Sequence, residues 1–110
     1  MPSAPTRVYV AGPYSADPEA CTAAAIAVGD QLLNLGYAPF VPHLSHYWHT
    51  LHNERPYEDW MRLDLAWVEV ADVLLRLPGE SAGADREVAH ARQVGVPVVF
   101  SVEELQAGAR

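Results

Sequence analysis

Apolar residues along the chain fall into short β-branched blocks separated by longer stretches of helical period. Arg7–Ala11 (R-V-Y-V-A) is one such block and stops at Gly12-Pro13, which predicts a strand followed by a turn. Pro18–Leu35 is alanine-rich and carries Ile26, Val28, Leu32, Leu33 and Leu35. Entered at Asp17-Pro18 and closed by Gly36, it predicts a helix. Tyr37–Val41 predicts a second strand, Tyr57–Ala71 a helix, Asp72–Leu77 a strand, Ala82–Val94 a helix and Pro97–Phe100 a strand, with a short last helix over Val102–Ala107. Between them Pro42–Pro56 has no clear period and is long for a connection, which points to function. The order β-α-β-α-β-α-β calls for a parallel sheet, because crossovers between parallel strands are helical and right-handed. The expected fold is α/β: a Rossmann-like or flavodoxin-like three-layer sandwich around a parallel sheet of four to five strands. No repeat, linker or composition shift interrupts residues 1–110, so one domain is expected.

Charge and composition narrow the partners. Fourteen acidic residues against seven basic give a formal charge of −7, which repels nucleic-acid phosphates, so no nucleic-acid polymer is expected. No segment approaches the ~20 apolar residues of a membrane span, and Met1–Arg7 lacks the apolar run of a secretory signal. Cys21 is the single cysteine and cannot form an internal disulfide, so a cytoplasmic location is expected. Trp48, Trp60 and Trp67 add more apolar area than a small core easily hides, and a homodimer or higher homo-oligomer is expected.

In a sheet of this kind ligands bind beyond the carboxyl ends of the strands. The segments to search are therefore Gly12–Asp17, Pro42–Arg55 and Pro78–Glu87. On a helical wheel Asp64 falls on the apolar side of its helix with Trp60, Leu63, Trp67 and Ala71. A carboxylate there is costly unless paired, hydrogen-bonded or used. A buried cap or salt-bridge partner is the plain alternative. Ser81 suits the N-cap of the following helix, whose free amides form an anion site. Glu87 lies about two turns in, beside the Ala84, Val88 and Ala91 face, and reads either as functional or as an acidic residue favoured by the helix dipole.

Tyr9 stands on the first strand, with the turn Gly12, Pro13, Tyr14 and Ser15 at its end. That turn has no G-x-G-x-x-G and no P-loop lysine, and the chain contains no lysine at all, so no nicotinamide or other cofactor is expected. His43, His46, His49 and His52 recur every third residue, but without an H-E-x-x-H or cysteine constellation no metal is expected. Tyr47 and Trp48 can stack on a planar base or pack on the loop itself. Cys21 reads as a buried small hydrophobe and His90 as part of a solvated helix face.

Three segments in order, V-Y-V-A-G-P-Y-S, D-L-A-W-V-E-V-A-D-V-L-L and S-A-G-A-D-R-E-V-A-H-A, resemble the nucleoside 2-deoxyribosyltransferase superfamily, nearest its small nucleoside 5′-monophosphate N-glycosidase branch. The resemblance runs from Val8 to Val99 and rests on the joint order and spacing. It implies that Glu87 is the nucleophile, Asp64 the aspartate of D-L-x-W and Tyr9 the first-strand tyrosine that orients the glutamate. It also implies that Gly12, Pro13, Tyr14, Ser15, Ser81 and Gly83 contact sugar and phosphate, while His43 and Trp48 border the base. The transferase branch has an aspartate six residues before the nucleophile; here Ser81 stands in that place, as in the monophosphate glycosidases. The implied activity is hydrolysis of the N-glycosidic bond of a (deoxy)ribonucleoside 5′-monophosphate through a glutamyl glycosyl-enzyme. Base exchange by a 2′-deoxyribosyltransferase and a non-catalytic nucleotide-binding module are the alternatives. In each case the partner is a small nucleotide or nucleoside. The N-terminus of its helix is expected to keep Glu87 ionised.

Overall fold

The computed structural model describes residues 4–108. Four parallel strands, β1 (Arg7–Ala11), β2 (Ala38–Phe40), β3 (Val73–Arg76) and β4 (Val98–Val99), form one sheet in the order β2-β1-β3-β4. Five helices accompany them: α1 (Pro18–Asn34), α2 (Ser45–Leu51), α3 (Tyr57–Val68), α4 (Ala82–Val94) and α5 (Val102–Gly108). The expected α/β sandwich is present, with a sheet of four strands.

Alternation along the central strands sorts the core into two halves. Val8, Val10, Val73 and Leu75 pack with Ala25 and Leu32 of α1 and Leu105 of α5. Tyr9, Ala11 and Leu74 point the other way, toward Val68 of α3 and Ala84, Val88 and Ala91 of α4. Strands covered on both faces read as continuous apolar runs, and D-V-L-L and V-Y-V-A are such runs. Local signals fix the helix ends. The Asp17 carboxylate accepts from the Ala20 amide at 3.2 Å with Pro18 at the first helical position, and α4 closes on Gly95 with φ +87°.

Three sequence expectations change. Pro42–Pro56 is not structureless, since a 3-10 turn spans Pro42–Leu44 and α2 follows. That helix buries none of its residues, so it carries no amphipathic period for a sequence reading to find. The third helix ends at Val68, and Val70 and Ala71 bond back to Trp67 and Val68 in a turn that leads into β3. Its rotation also differs. Met61 and Val68 face the core with Asp64 between them, while Trp67 remains 48% exposed and stacks on Phe40 with ring centroids 5.3 Å apart. No helix among the described residues is long and apolar enough to cross a membrane.

Close approach of α1 to the strand 2 exit depends on Gly29, where a Cβ would lie 2.8 Å from Val41 Cγ2. Alanine normally gains ~1 kcal/mol over glycine inside a helix. Here the stiff valine cannot move aside, so Gly29→Ala is expected to lower the melting temperature, and Val41→Ala in the same chain to return part of the loss. A melting temperature raised by Gly29→Ala alone would contradict this packing.

Candidate active site

Strand order reverses between β1 and β3: the chain leaves β1 toward β2 on one side and returns to β3 on the other. A crevice must open there beyond the strand ends. It does, as an open cleft of about 1100 Å³ walled by the loop after β1, by α2 and α3, and by the first two turns of α4.

Two carboxyl groups form its floor. Glu87 projects from the second turn of α4 and is 6% exposed. Tyr9, fully buried on β1, donates its hydroxyl to Glu87 Oε2 at 2.9 Å. Asp64, half-buried on α3, lines the same cleft close enough to Glu87 for the two carboxyls to perturb each other. Burial raises the Glu87 carboxyl to about 8, with the Asp64 charge adding to the rise, and the Tyr9 hydroxyl and the Arg76 guanidinium opposing it. Burial likewise raises Asp64 to about 6, with Glu87 opposing the rise. At neutral pH the two groups therefore hold one proton between them. The expectation that the helix N-terminus keeps Glu87 ionised is thus overturned. Dipole stabilisation fades beyond the first turn, and desolvation in the second turn outweighs it. Burial above all, then the two carboxylate charges, holds the Tyr9 phenol protonated as a permanent donor.

Gly12, Tyr14, Ser15, His43, Ser81 and Gly83 line the cleft. Pro13 does not; its carbonyl accepts from His43 Nε2 at 2.9 Å, which positions the histidine. His43 is buried, burial lowers its pKa, and with Nε2 donating, its buried Nδ1 is an acceptor without a partner. Tyr14 Oη lies 2.6 Å from His46 Nδ1. Ser81 Oγ accepts from the Ala84 amide at 3.0 Å as the N-cap of α4. Trp48 is not on the cleft. It is half-exposed and meets Trp60 edge-on at 5.1 Å, and Tyr47 stands farther out, 70% exposed.

The aromatic wall is instead Tyr14, Tyr57 and Trp60, with His46 and His49 beside it and Arg55 at the rim. Tyr57 and Trp60 lie on the helix that carries Asp64, at i, i+3 and i+7, so the spacing that isolated Asp64 also pointed to them. His46 and His49 stood out only through the three-residue histidine spacing and Arg55 only as the end of a segment to search, because the fold of Pro42–Pro56 was not legible. Cys21 is only half-buried, and His90 bonds Glu69 at 2.7 Å across from α4. Among the described residues no group of three or more His, Cys, Asp or Glu is placed to hold a metal. Asp64, Glu80, Asp85 and Glu87 line the cleft against one cation, Arg55, which is itself paired with Asp59 at 3.1 Å.

A sequence profile of the family described as "Domain of unknown function (DUF7768)" matches residues 6–101. Comparison with curated proteins finds no match. The fold is similar to that of a 2-deoxyribosyltransferase from Leishmania mexicana, with a TM-score of 0.65, 17% identity and 87% of this chain covered. It is also similar to a 2-deoxyribosyltransferase from Bacillus psychrosaccharolyticus, with a TM-score of 0.62, 20% identity and 86% of this chain covered. The chain spans 63% of the length of the first and 71% of the second.

Both carboxyls titrate above ordinary carboxyl values, so the folded protein binds more protons than the unfolded chain between about pH 4 and pH 8 and loses stability as pH rises through that window. Glu87→Gln removes the larger contributor. Its thermal unfolding is expected to exceed that of the parent at pH 8, by on the order of 1–2 kcal/mol, and to differ little at pH 5. Equal changes at the two pH values would show that Glu87 is not buried beside a second carboxyl.

Proposed function

The chain belongs to the DUF7768 family, and from that premise we propose that it is an enzyme that breaks the N-glycosidic bond of a nucleoside through a covalent glutamyl intermediate and passes the sugar to a second base. One observation carries this reading: Glu87 and Asp64 stand together at the floor of an aromatic cleft, with the buried Tyr9 hydroxyl bonded to Glu87. The likeness of fold to two 2-deoxyribosyltransferases supports base exchange over hydrolysis.

The chemistry follows from the shared proton. With the proton on Asp64, the ionised Glu87 attacks the anomeric carbon, the bond to the base nitrogen breaks, and Asp64 gives its proton to the departing base. Tyr9 holds Glu87 Oε2 and leaves the other oxygen to attack. In the second half the carboxylate of Asp64 takes a proton from the incoming base as its nitrogen attacks the anomeric carbon and releases Glu87. Gly12, Ser15, Ser81 and Gly83 contact the sugar, and Tyr14, Tyr57, Trp60 and His43 border the base.

Electrostatics favour a nucleoside over its 5′-phosphate. Glu80 precedes Ser81 and lines the cleft with Asp64 and Glu87, so a phosphate at the start of α4 would meet an acidic wall. Hydrolysis of a 5′-monophosphate is the second reading. It is favoured by Ser81 at the position where the transferase branch has an aspartate, since its hydroxyl proton and the α4 amides suit a phosphate.

A panel of ribo- and deoxyribonucleosides and their 5′-monophosphates, incubated with and without a free acceptor base, separates the readings by chromatography. A new nucleoside formed only when acceptor is present is the expected result, reduced about 1000-fold or more in Glu87→Ala. Free base released from monophosphates without acceptor would instead establish the hydrolase. Across pH, kcat/KM should form a bell, falling below about 6 as both carboxyls are protonated and above about 8 as both ionise.

A homo-oligomer is part of the proposal. Phe40 of β2, Trp67 at the end of α3 and Val70 in the turn after it stand 39%, 48% and 54% exposed, more apolar surface than a monomer of this size usually shows. Light scattering is expected to give at least twice the chain mass of 12.0 kDa, and a monomer mass would refute this part.

A further inference from the structure

Arg76 is the last residue of β3, and its side chain is 11% exposed. A nearly buried guanidinium is costly unless its donors are used. Here Nη1 donates to the Leu77 and Gly79 carbonyls, the latter at 3.0 Å, and Nη2 donates to Asp85 Oδ1 at 2.9 Å. Those partners belong to two segments, the loop after β3 and the first turn of α4. Leu77 packs on Gly12, where a Cβ would lie 3.1 Å from Leu77 Cβ, and Gly79 packs on Pro13, where a Cβ would lie 2.8 Å from Pro13 Cγ. The loop after β3 is thus seated on the loop after β1, with a left-handed Gly79 at φ +114° that a side chain would strain. Asp85 is in the first turn of α4, the helix that carries Glu87.

We propose that Arg76 is a positioning residue for the reacting pair, fixing the loop after β3 and the start of α4 with its planar fork. This rests on the reading of Glu87 and Asp64 as the reacting groups. The groups that bear on Glu87 are Tyr9 from β1, Asp64 from α3 and Arg76 from β3; the Tyr9 hydroxyl bond and the Arg76 charge both favour its ionised form, and of the two Arg76 is the cation. Asp85, on the same helix, is 72% exposed, so its hold on the Arg76 charge is weakened by water and the cation's field still reaches Glu87. Arg76 therefore makes the transfer of the shared proton from Glu87 to Asp64 easier, which is the state that attack requires.

Carboxyl carbon NMR titration of the free protein, labelled at Glu and Asp, tests this without any substrate. In Arg76→Gln the titration of the Glu87 and Asp64 pair is expected to move up by about half a unit or more, as a favourable charge is lost. Asp85→Asn should move it down, because Arg76 is left uncompensated. Arg76→Lys, which keeps the charge and loses the fork, should hold the titration near the parent while lowering kcat in any active assay. Opposite shifts in the Gln and Asn variants support the proposal, since a loop brace alone would not reverse sign. A shift below about 0.2 unit in Arg76→Gln, or the same direction in both variants, would overturn it. If Arg76→Gln does not fold, a downward shift in Asp85→Asn supports the proposal and an unmoved titration overturns it. Should no nucleoside be turned over while the shifts appear as stated, the proposed function fails and the role of Arg76 in setting the pair stands.

Discussion

Two carboxyl groups taken out of water side by side cannot both be charged at neutral pH, and the rest of the site is arranged around that constraint. Glu87 and Asp64 come from different helices; burial makes ionisation of both harder, and the Asp64 charge adds to the cost at Glu87. In the proposed reaction the same pair supplies the nucleophile and the acid in one place. Tyr9 keeps its own proton and so remains a donor to Glu87. A tyrosine fully buried on a central strand would be an expensive choice for packing alone, and its hydroxyl is accounted for by this one bond.

The scaffold delivers those groups through ordinary rules. A parallel sheet that reverses strand order between β1 and β3 opens a crevice there, and the helices that cover one face bring their first turns to its edge. Serine at the cap of α4 sets where that helix begins, and hence that Glu87 points inward with Ala84, Val88 and Ala91 while Asp85 and Arg86 point out. Across the cleft, Arg86 forms a bidentate pair with Glu58 of α3 at 2.8 and 3.2 Å, which ties the two carboxyl-bearing helices together. The pair is exposed and adds little stability, so its worth is in geometry.

The balance of charge around the cleft bears on what enters it. Acidic residues outnumber the one cation at its walls, and that cation is already engaged. The cleft walls combine hydrogen-bonding groups, aromatic faces and carboxylates, which suits the neutral sugar and planar base of the proposed substrate better than an added phosphate. Trp60 and Tyr57 lie on the same face of α3 as Asp64, so the aromatic wall and that carboxyl move together if the helix shifts.

The alternation of short apolar blocks with helical stretches determined the sheet and its helices, since each strand buried on both faces must be apolar at every position. It also isolated Asp64, as a carboxylate on an apolar helix side, and Glu87, as an acid beside a buried face. Resemblance carried Tyr9, because nothing in a V-Y-V strand tells a packing tyrosine from a hydrogen-bonding one. Only the tertiary structure decided the rest. It placed Trp60 and Tyr57, not Trp48, on the cleft, because α2 has no buried face and so no period that would have revealed it. It reversed the ionisation expected for Glu87, because a helix dipole is visible in a sequence and the desolvation from a neighbouring helix is not. And it brought Arg76 under the loops, a residue that reads in the sequence as the polar end of a strand and acquires its role only from carbonyls and a carboxylate that the fold gathers around it.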